Sequence, residues 1–194
     1  MVRADRPGVP ERRGTLRYAR NDQRSRSRQY ARPVLTIETA LPGEPVAVSI
    51  LRLYMSEVAS RWYGRPATAD EVDRALRDEP ADDLTGETGV LLLALDDGEP
   101  VACAGARFRG EVAELTKVFT RPDARGRGIG RRLVEAVERA CVDRRVAVVQ
   151  LDTREELAEA CALYERLGYR RVEAFNDEPY SDRWYRKDLV LRSA

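Results

Sequence analysis

Three features of this 194-residue sequence place it in the mixed α+β class. Residues 90 to 120 hold three strand-like runs joined by tight turns; a glycine-rich turn at 125 to 130 opens a helix; and strand, helix and strand alternate from 146 to 190. Asp-Gly between apolar runs is a hairpin signal, so the first feature asks for three consecutive antiparallel strands. The other two insert helices between the later strands.

In chain order, Val34 to Thr39 alternates apolar and polar residues and reads as a first strand. Val46 to Tyr63 has helical spacing through Ile50, Leu51, Tyr54 and Val58, and Gly64 and Pro66 stop it. Thr68 or Asp70 caps a second helix over roughly Glu71 to Arg77, because both side chains can accept from free helix amides. Pro80 to Gly89 is a polar loop. Val90 to Leu95, Pro100 to Phe108 and Val112 to Thr120 are the hairpin strands, turning at Asp96-Asp97-Gly98 and Gly110. A helix then runs from Gly130 to about Arg144, a strand from Val146 to Asp152 and a helix from Glu155 to Leu167, ended by Gly168. A strand at Tyr169 to Phe175 and a last one near Trp184 to Val190 complete the order, with no internal repeat.

Charge divides the chain. The formal net charge is +1, yet residues 1 to 33 carry ten Arg against Asp5, Glu11 and Asp22, a balance of +7. Residues 34 to 194 carry the remaining 24 basic and 30 acidic groups, a balance of −6. The first 33 residues lack the apolar content to offset their ordering entropy and are expected to be a disordered, Arg-rich tail. Residues 34 to 194 are expected to form one domain.

The tail has neither aromatic interleaving nor a recognised nucleic-acid motif, so nucleic-acid binding is not expected. With no secretion-type apolar segment and no run of 18 apolar residues, a soluble cytoplasmic protein without a membrane partner is expected. Cys103, Cys141 and Cys161 form no C-x-x-C pair and read as small buried hydrophobes, and no metal site is expected. The chain has no His, which excludes a Ser-His-Asp triad and a Cys-His dyad and leaves carboxylates, Tyr, Cys and Lys to move protons.

The functional signal is Arg125-Gly126-Arg127-Gly128-Ile129-Gly130. Three glycines leave close-set amides without Cβ obstruction, and the following helix directs its N-terminal N–H groups and positive dipole end at them. That suits a phosphate-bearing ligand. The run lacks the Gly-Lys-Ser/Thr ending of a nucleotide P-loop and the G-x-G-x-x-G spacing of a dinucleotide fold. It matches R-x-x-G-x-G instead. With Pro122 before it and Ala-Cys-Ala-Leu-Tyr-Glu-Arg-Leu-Gly-Tyr at 160 to 169 after it, the chain resembles the GCN5-related N-acetyltransferase (GNAT) superfamily, most clearly from about Glu99 to Leu189.

That resemblance implies a mixed, mostly antiparallel sheet of six to seven strands, splayed between strands 4 and 5 and flanked by about four helices. It implies acetyl coenzyme A as cosubstrate, its pyrophosphate on the backbone of Arg125, Gly126, Arg127, Gly128, Ile129 and Gly130 with help from Arg131. The pantetheine arm would pair along Val118, Phe119 and Thr120, where a bulge usually opens the sheet. Tyr164 corresponds to the tyrosine that protonates the departing thiolate in many relatives. Glu114 and Asp152 occupy the two positions at which different branches place a general base. Where many relatives carry Asn, this chain has Leu157. The implied activity is transfer of acetyl to a primary amine of a small molecule. A protein or peptide N-terminus or lysine is the second acceptor class, and a non-catalytic acyl coenzyme A binding module is the alternative. Homodimer formation stays open.

Overall fold

The structure is a computed structural model and describes residues 35 to 191, so the Arg-rich tail at 1 to 33 and Val34 lie outside the described residues. Seven strands, β1 (Leu35–Thr39), β2 (Gly89–Asp96), β3 (Glu99–Arg109), β4 (Val112–Thr120), β5 (Val148–Thr153), β6 (Arg170–Val172) and β7 (Arg183–Asp188), form one sheet. Their order is β1-β2-β3-β4-β5-β7-β6. β4 and β5 are parallel and every other pairing is antiparallel, which is the expected architecture. The helices are α1 (Pro45–Tyr63), α2 (Ala69–Asp78), α3 (Ile129–Asp143) and α4 (Ala158–Arg166).

The sheet is buried on both faces, which explains why β2 reads as a continuous apolar run. Leu91 and Leu93 pack with Ile50 and Leu51 of α1, whereas Val90, Leu92 and Ala94 pack with Leu133, Val134 and Val137 of α3. On β3, Ala102, Ala104 and Ala106 present small side chains to the α3 layer, and each is fully buried. Fully burying one such Leu or Ile contributes about 1.5–3 kcal/mol. α2 begins with a capping box, in which the Thr68 hydroxyl accepts from the Glu71 amide and the Glu71 carboxylate accepts from the Thr68 amide.

Two irregularities position the site. β4 pairs with β5 only over Val112 to Glu114 against Val148 to Gln150, after which the strands part and leave an open cleft. Between the pairs Gly105–Thr116 and Cys103–Phe119, Lys117 and Val118 stand opposite Ala104 alone. This is a β-bulge, and Lys117 takes a left-handed φ of 54° within it. As a result Leu115 faces the α3 core while Phe119, four residues on, faces α1.

Boundaries depart from expectation late in the chain. α4 starts at Ala158 instead of Glu155, because the Asp182 carboxylate takes the Glu155 amide at 2.7 Å and residues 154 to 157 form a turn. β6 ends at Val172, short of Phe175, and β5 starts at Val148, after Ala147 and Val148 both donate to the Glu111 carbonyl.

Candidate active site

β4 ends at Thr120, a short turn at Pro122–Ala124 redirects the chain, and Gly126 and Gly128 follow at φ 76° and 73°. Those are left-handed conformations that cost a residue with a Cβ about 1–2 kcal/mol. Gly128 is the N-cap of α3, so no side chain caps the first-turn amides and no acidic residue stands among them. A Cβ on Gly126 or Gly128 would meet nothing within 4 Å, so open space lies over this loop. Gly130 differs: its Cβ would stand 3.4 Å from Thr120 Oγ1 and 3.5 Å from Leu163 Cδ2. The helix start therefore sits between the end of β4 and α4, on the two sides of the splay.

The loop arginines are held by carboxylates. Arg125 donates to the Thr120 carbonyl at 3.0 Å and to both Glu57 oxygens at 2.6 Å, tying the loop to α1. Arg127 pairs with Asp96 at 2.6 Å and Arg131 with Glu135 at 2.8 Å. What the turn offers an anion is backbone, together with Ile129, which anchors it at 1% exposure. Val118, Phe119 and Thr120 continue from the bulge toward this turn. They face β3 along one edge, and β5 has already left the other.

Tyr164 projects from α4 into the same cleft. Its ring packs against Tyr169 and Tyr185, with centroids 5.9 and 6.0 Å away. It is 6% exposed, and burial, followed by Cys161, Asp152 and Tyr185, pushes its phenol well above the usual tyrosine range. Asp152, next to last in β5, accepts hydrogen bonds from Asn176 at 3.1 Å and from the Ser181 hydroxyl, both on the loop before β7. Glu114, at the last β4 position paired to β5, accepts from Arg107 at 3.1 Å, and Arg107 also binds Asp83 at 2.8 Å and the Pro80 carbonyl at 2.9 Å.

The sequence reading singled out neither Lys117 nor Glu79 in this cleft. Lys117 is 3% exposed and donates to the Glu79 carbonyl and carboxylate, both at 3.0 Å, while its ammonium lies 5.5 Å from the Tyr54 ring centroid. Burial, with Glu79, Cys103, Tyr164 and Asp152 adding to it, also pushes the Tyr54 phenol up, so Tyr54, Tyr164 and Asp152 share one environment. A lysine at an inward position of the strand's alternation, between Leu115 and Phe119, was the available signal. The aromatic rim was more legible: Trp62 of α1 meets Tyr180 at 4.9 Å, and the Arg154 guanidinium lies 5.1 Å from the Trp62 ring. Among the described residues, no group of three or more His, Cys, Asp or Glu side chains could hold a metal ion, and no helix is long and apolar enough to cross a membrane.

The sequence model of the Acetyltransferase (GNAT) family matches residues 52 to 169. Several solved structures share the fold. An acetyltransferase of the GNAT family from Staphylococcus aureus aligns with a TM-score of 0.66 at 17% identity, covering 81% of this chain and 100% of that one. The ribosomal-protein-S18-alanine N-acetyltransferase from Escherichia coli aligns at 0.55 and 22%, covering 83% and 96%. The PaiA N-acetyltransferase from Thermoplasma acidophilum, in complex with coenzyme A, aligns at 0.60 and 14%, covering 79% and 99%.

Proposed function

The chain belongs to the acetyltransferase (GNAT) family, and from that premise we propose that it transfers acetyl from acetyl coenzyme A to a primary amine of a small molecule by direct attack. The observation that carries this is the convergence of an uncapped, glycine-opened helix start and the largely buried Tyr164 on opposite sides of one splay. The residues fit the coenzyme. The amides of Arg125 through Gly130 hold its pyrophosphate, where the space over Gly126 and Gly128 is open, and Arg131 adds positive charge. The β4 edge at Val118, Phe119 and Thr120 pairs with the pantetheine amides, and a strand N–H beside the bulge polarises the thioester carbonyl.

A deprotonated amine attacks the thioester carbon, forming the amide C–N bond as the C–S bond breaks. Tyr164 gives its proton to the departing sulfur. Its raised pKa suits the role, because the phenol keeps its proton across the working pH range. Asp152 takes the amine's proton: it bears on the charge of both Tyr164 and Tyr54, and it is bonded only by uncharged donors. Glu114, the other candidate base, is held by Arg107 and acts as cleft wall and second acceptor of the proton. A small acceptor is favoured because Arg61 of α1 reaches Glu159 of α4 at 2.5 Å, narrowing the approach between those helices.

The test is thiol release from acetyl coenzyme A against amines, amino acids and peptides, beside a thermal melt with the coenzyme. Turnover with a small amine and a raised melting temperature are expected. A melt that does not move with millimolar acetyl coenzyme A, together with no thiol release from any acceptor, refutes the proposal.

A further inference from the structure

We infer that Asn176 is a positioning residue for this reaction: held by the Trp184 indole, it fixes the Asp152 carboxylate in the cleft as a charged acceptor. The inference rests on the acetyl-transfer reading, with Asp152 as the base, and adds to it the side chain that readies that base.

Asp152 is next to last in β5 and lies directly opposite Trp184 of β7, so the two side chains stand on one face of the sheet. Trp184 is a firm platform. It belongs to the stretch of β7, residues 184 to 186, that pairs with β5 on one side and with β6 on the other. Its indole N–H donates to Asn176 Oδ1 at 2.7 Å, and Asn176 Nδ2 donates in turn to Asp152 Oδ1 at 3.1 Å.

The Asn176 amide can face only one way. An indole N–H donates and never accepts, so it claims the amide oxygen and leaves the NH2 group for Asp152. Asn176 therefore offers Asp152 a donor and nothing else. Ser181 differs. Its hydroxyl donates to the other Asp152 oxygen, yet a hydroxyl can rotate and accept from a protonated acid as well. Of the two bonds, the one from Asn176 favours the charged form more strongly.

The loop does not depend on that bond for its place. The Asp182 amide donates to the Thr153 carbonyl at 3.0 Å, the Asp182 carboxylate accepts from the Glu155 amide at 2.7 Å, and the Tyr180 ring meets Trp62 at 4.9 Å. What the Asn176 bond adds is the aim and charge of Asp152. Each Asp152 oxygen accepts one bond and keeps a lone pair for the amine's proton. No ion pair among the described residues includes Asp152. The titratable groups its charge reaches are Tyr54 on α1, Tyr164 on α4 and Glu178 on the loop, none of them cationic. Neutral donors alone hold the charge.

The experiment titrates Asp152 directly, by carbon NMR of the full chain labelled at the aspartate carboxyl carbons, with Asp152→Asn identifying the signal. Asn176→Ala should raise the pH midpoint of that signal by about one unit or more, the shift expected on losing a hydrogen bond to a charged group. Ser181→Ala should raise it less. Trp184→Phe should also raise it, but should add nothing once Asn176 is alanine, because the indole acts through the amide. An unmoved midpoint in a folded Asn176→Ala protein, or a Trp184→Phe shift that persists undiminished in the double variant, would overturn the inference. If Trp184→Phe does not fold, Asn176→Ala against Ser181→Ala decides it, and equal shifts would overturn it. Thiol release from acetyl coenzyme A with butylamine then separates the two readings. The acid limb of kcat should move with the NMR midpoint. A limb that stays fixed while the midpoint moves would overturn Asp152 as the base and leave the hold of Asn176 on Asp152 standing.

Discussion

Gly128→Ala isolates the cradle, because φ 73° and open space make the consequence of one methyl group calculable. Holding alanine in a left-handed conformation costs about 1–2 kcal/mol. At about 2–4 °C per kcal/mol for a domain of this size, the free protein should melt about 2–8 °C lower. The methyl also enters the space over the amides, where an added group costs binding about 2 kcal/mol, or roughly thirtyfold in Kd. At a coenzyme concentration a hundredfold above the original Kd, ligand stabilisation should fall from about 2.7 to about 0.9 kcal/mol. Gly130→Ala is the matched control. Its φ is not left-handed and its Cβ meets Thr120 and Leu163 at ordinary contact distance, so the coenzyme shift should survive and the free protein should gain up to about 1 kcal/mol. Differential scanning fluorimetry with and without acetyl coenzyme A reads all four numbers. A Gly128→Ala protein with a full ligand shift, or a Gly130→Ala protein that loses it, refutes the placement of the pyrophosphate over residues 126 to 128.

Tyr164→Phe should leave the melting temperature nearly unchanged, since the hydroxyl bonds to no described residue, and should lower turnover about 10²- to 10⁴-fold in single-turnover assays. Because the folded pKa of Tyr164 is raised, the wild-type rate should not fall as pH passes 10, where an ordinary tyrosine deprotonates; a fall there to the Tyr164→Phe rate would refute the raised pKa, and near-normal single turnover by Tyr164→Phe would refute the donor role. Asp152→Asn should depress kcat/KM most at low pH, where the amine is protonated. If Glu114→Gln alone reshapes the pH profile, the base belongs on β4. Burial pushes the Cys103 and Cys141 thiols up to about 12, so at pH 8 an alkylating reagent should label Cys161 alone in the native protein and all three cysteines after denaturation, as read by intact mass.

What the sequence made legible is what the backbone builds. Glycines at 126 and 128 announce left-handed φ because few other residues tolerate it, and Asp97-Gly98 announces the hairpin for the same reason. Capping at Thr68 follows from its hydroxyl and the glutamate three residues on. What stayed hidden depends on distant pairings. The bulge was expected only from the family resemblance, because it exists where Lys117 and Val118 share one partner and no local pattern marks it. Strict alternation would send Leu115, Lys117 and Phe119 to one face; the bulge divides Leu115 from Phe119 and brings Lys117 to Tyr54 and Glu79. The start of α4 was misjudged for a related reason: Asp182, 27 residues away, takes the Glu155 amide.

The same contrast supports the proposal that one cleft serves two substrates of opposite charge. Its phosphate end is a helix start with Arg125, Arg127 and Arg131 around it, each balanced by a carboxylate that an incoming phosphate could replace. The proposed acceptor end gathers Glu79, Glu114 and Asp152, with Lys117 and Arg107 as the counterions inside. A coenzyme entering backwards would bring its phosphates against those carboxylates, and a cationic amine at the cradle would meet the positive end of α3. On the proposed function, charge at the two ends would therefore orient both reactants before any contact specific to either is made, with the neutral Tyr164 where the fields meet.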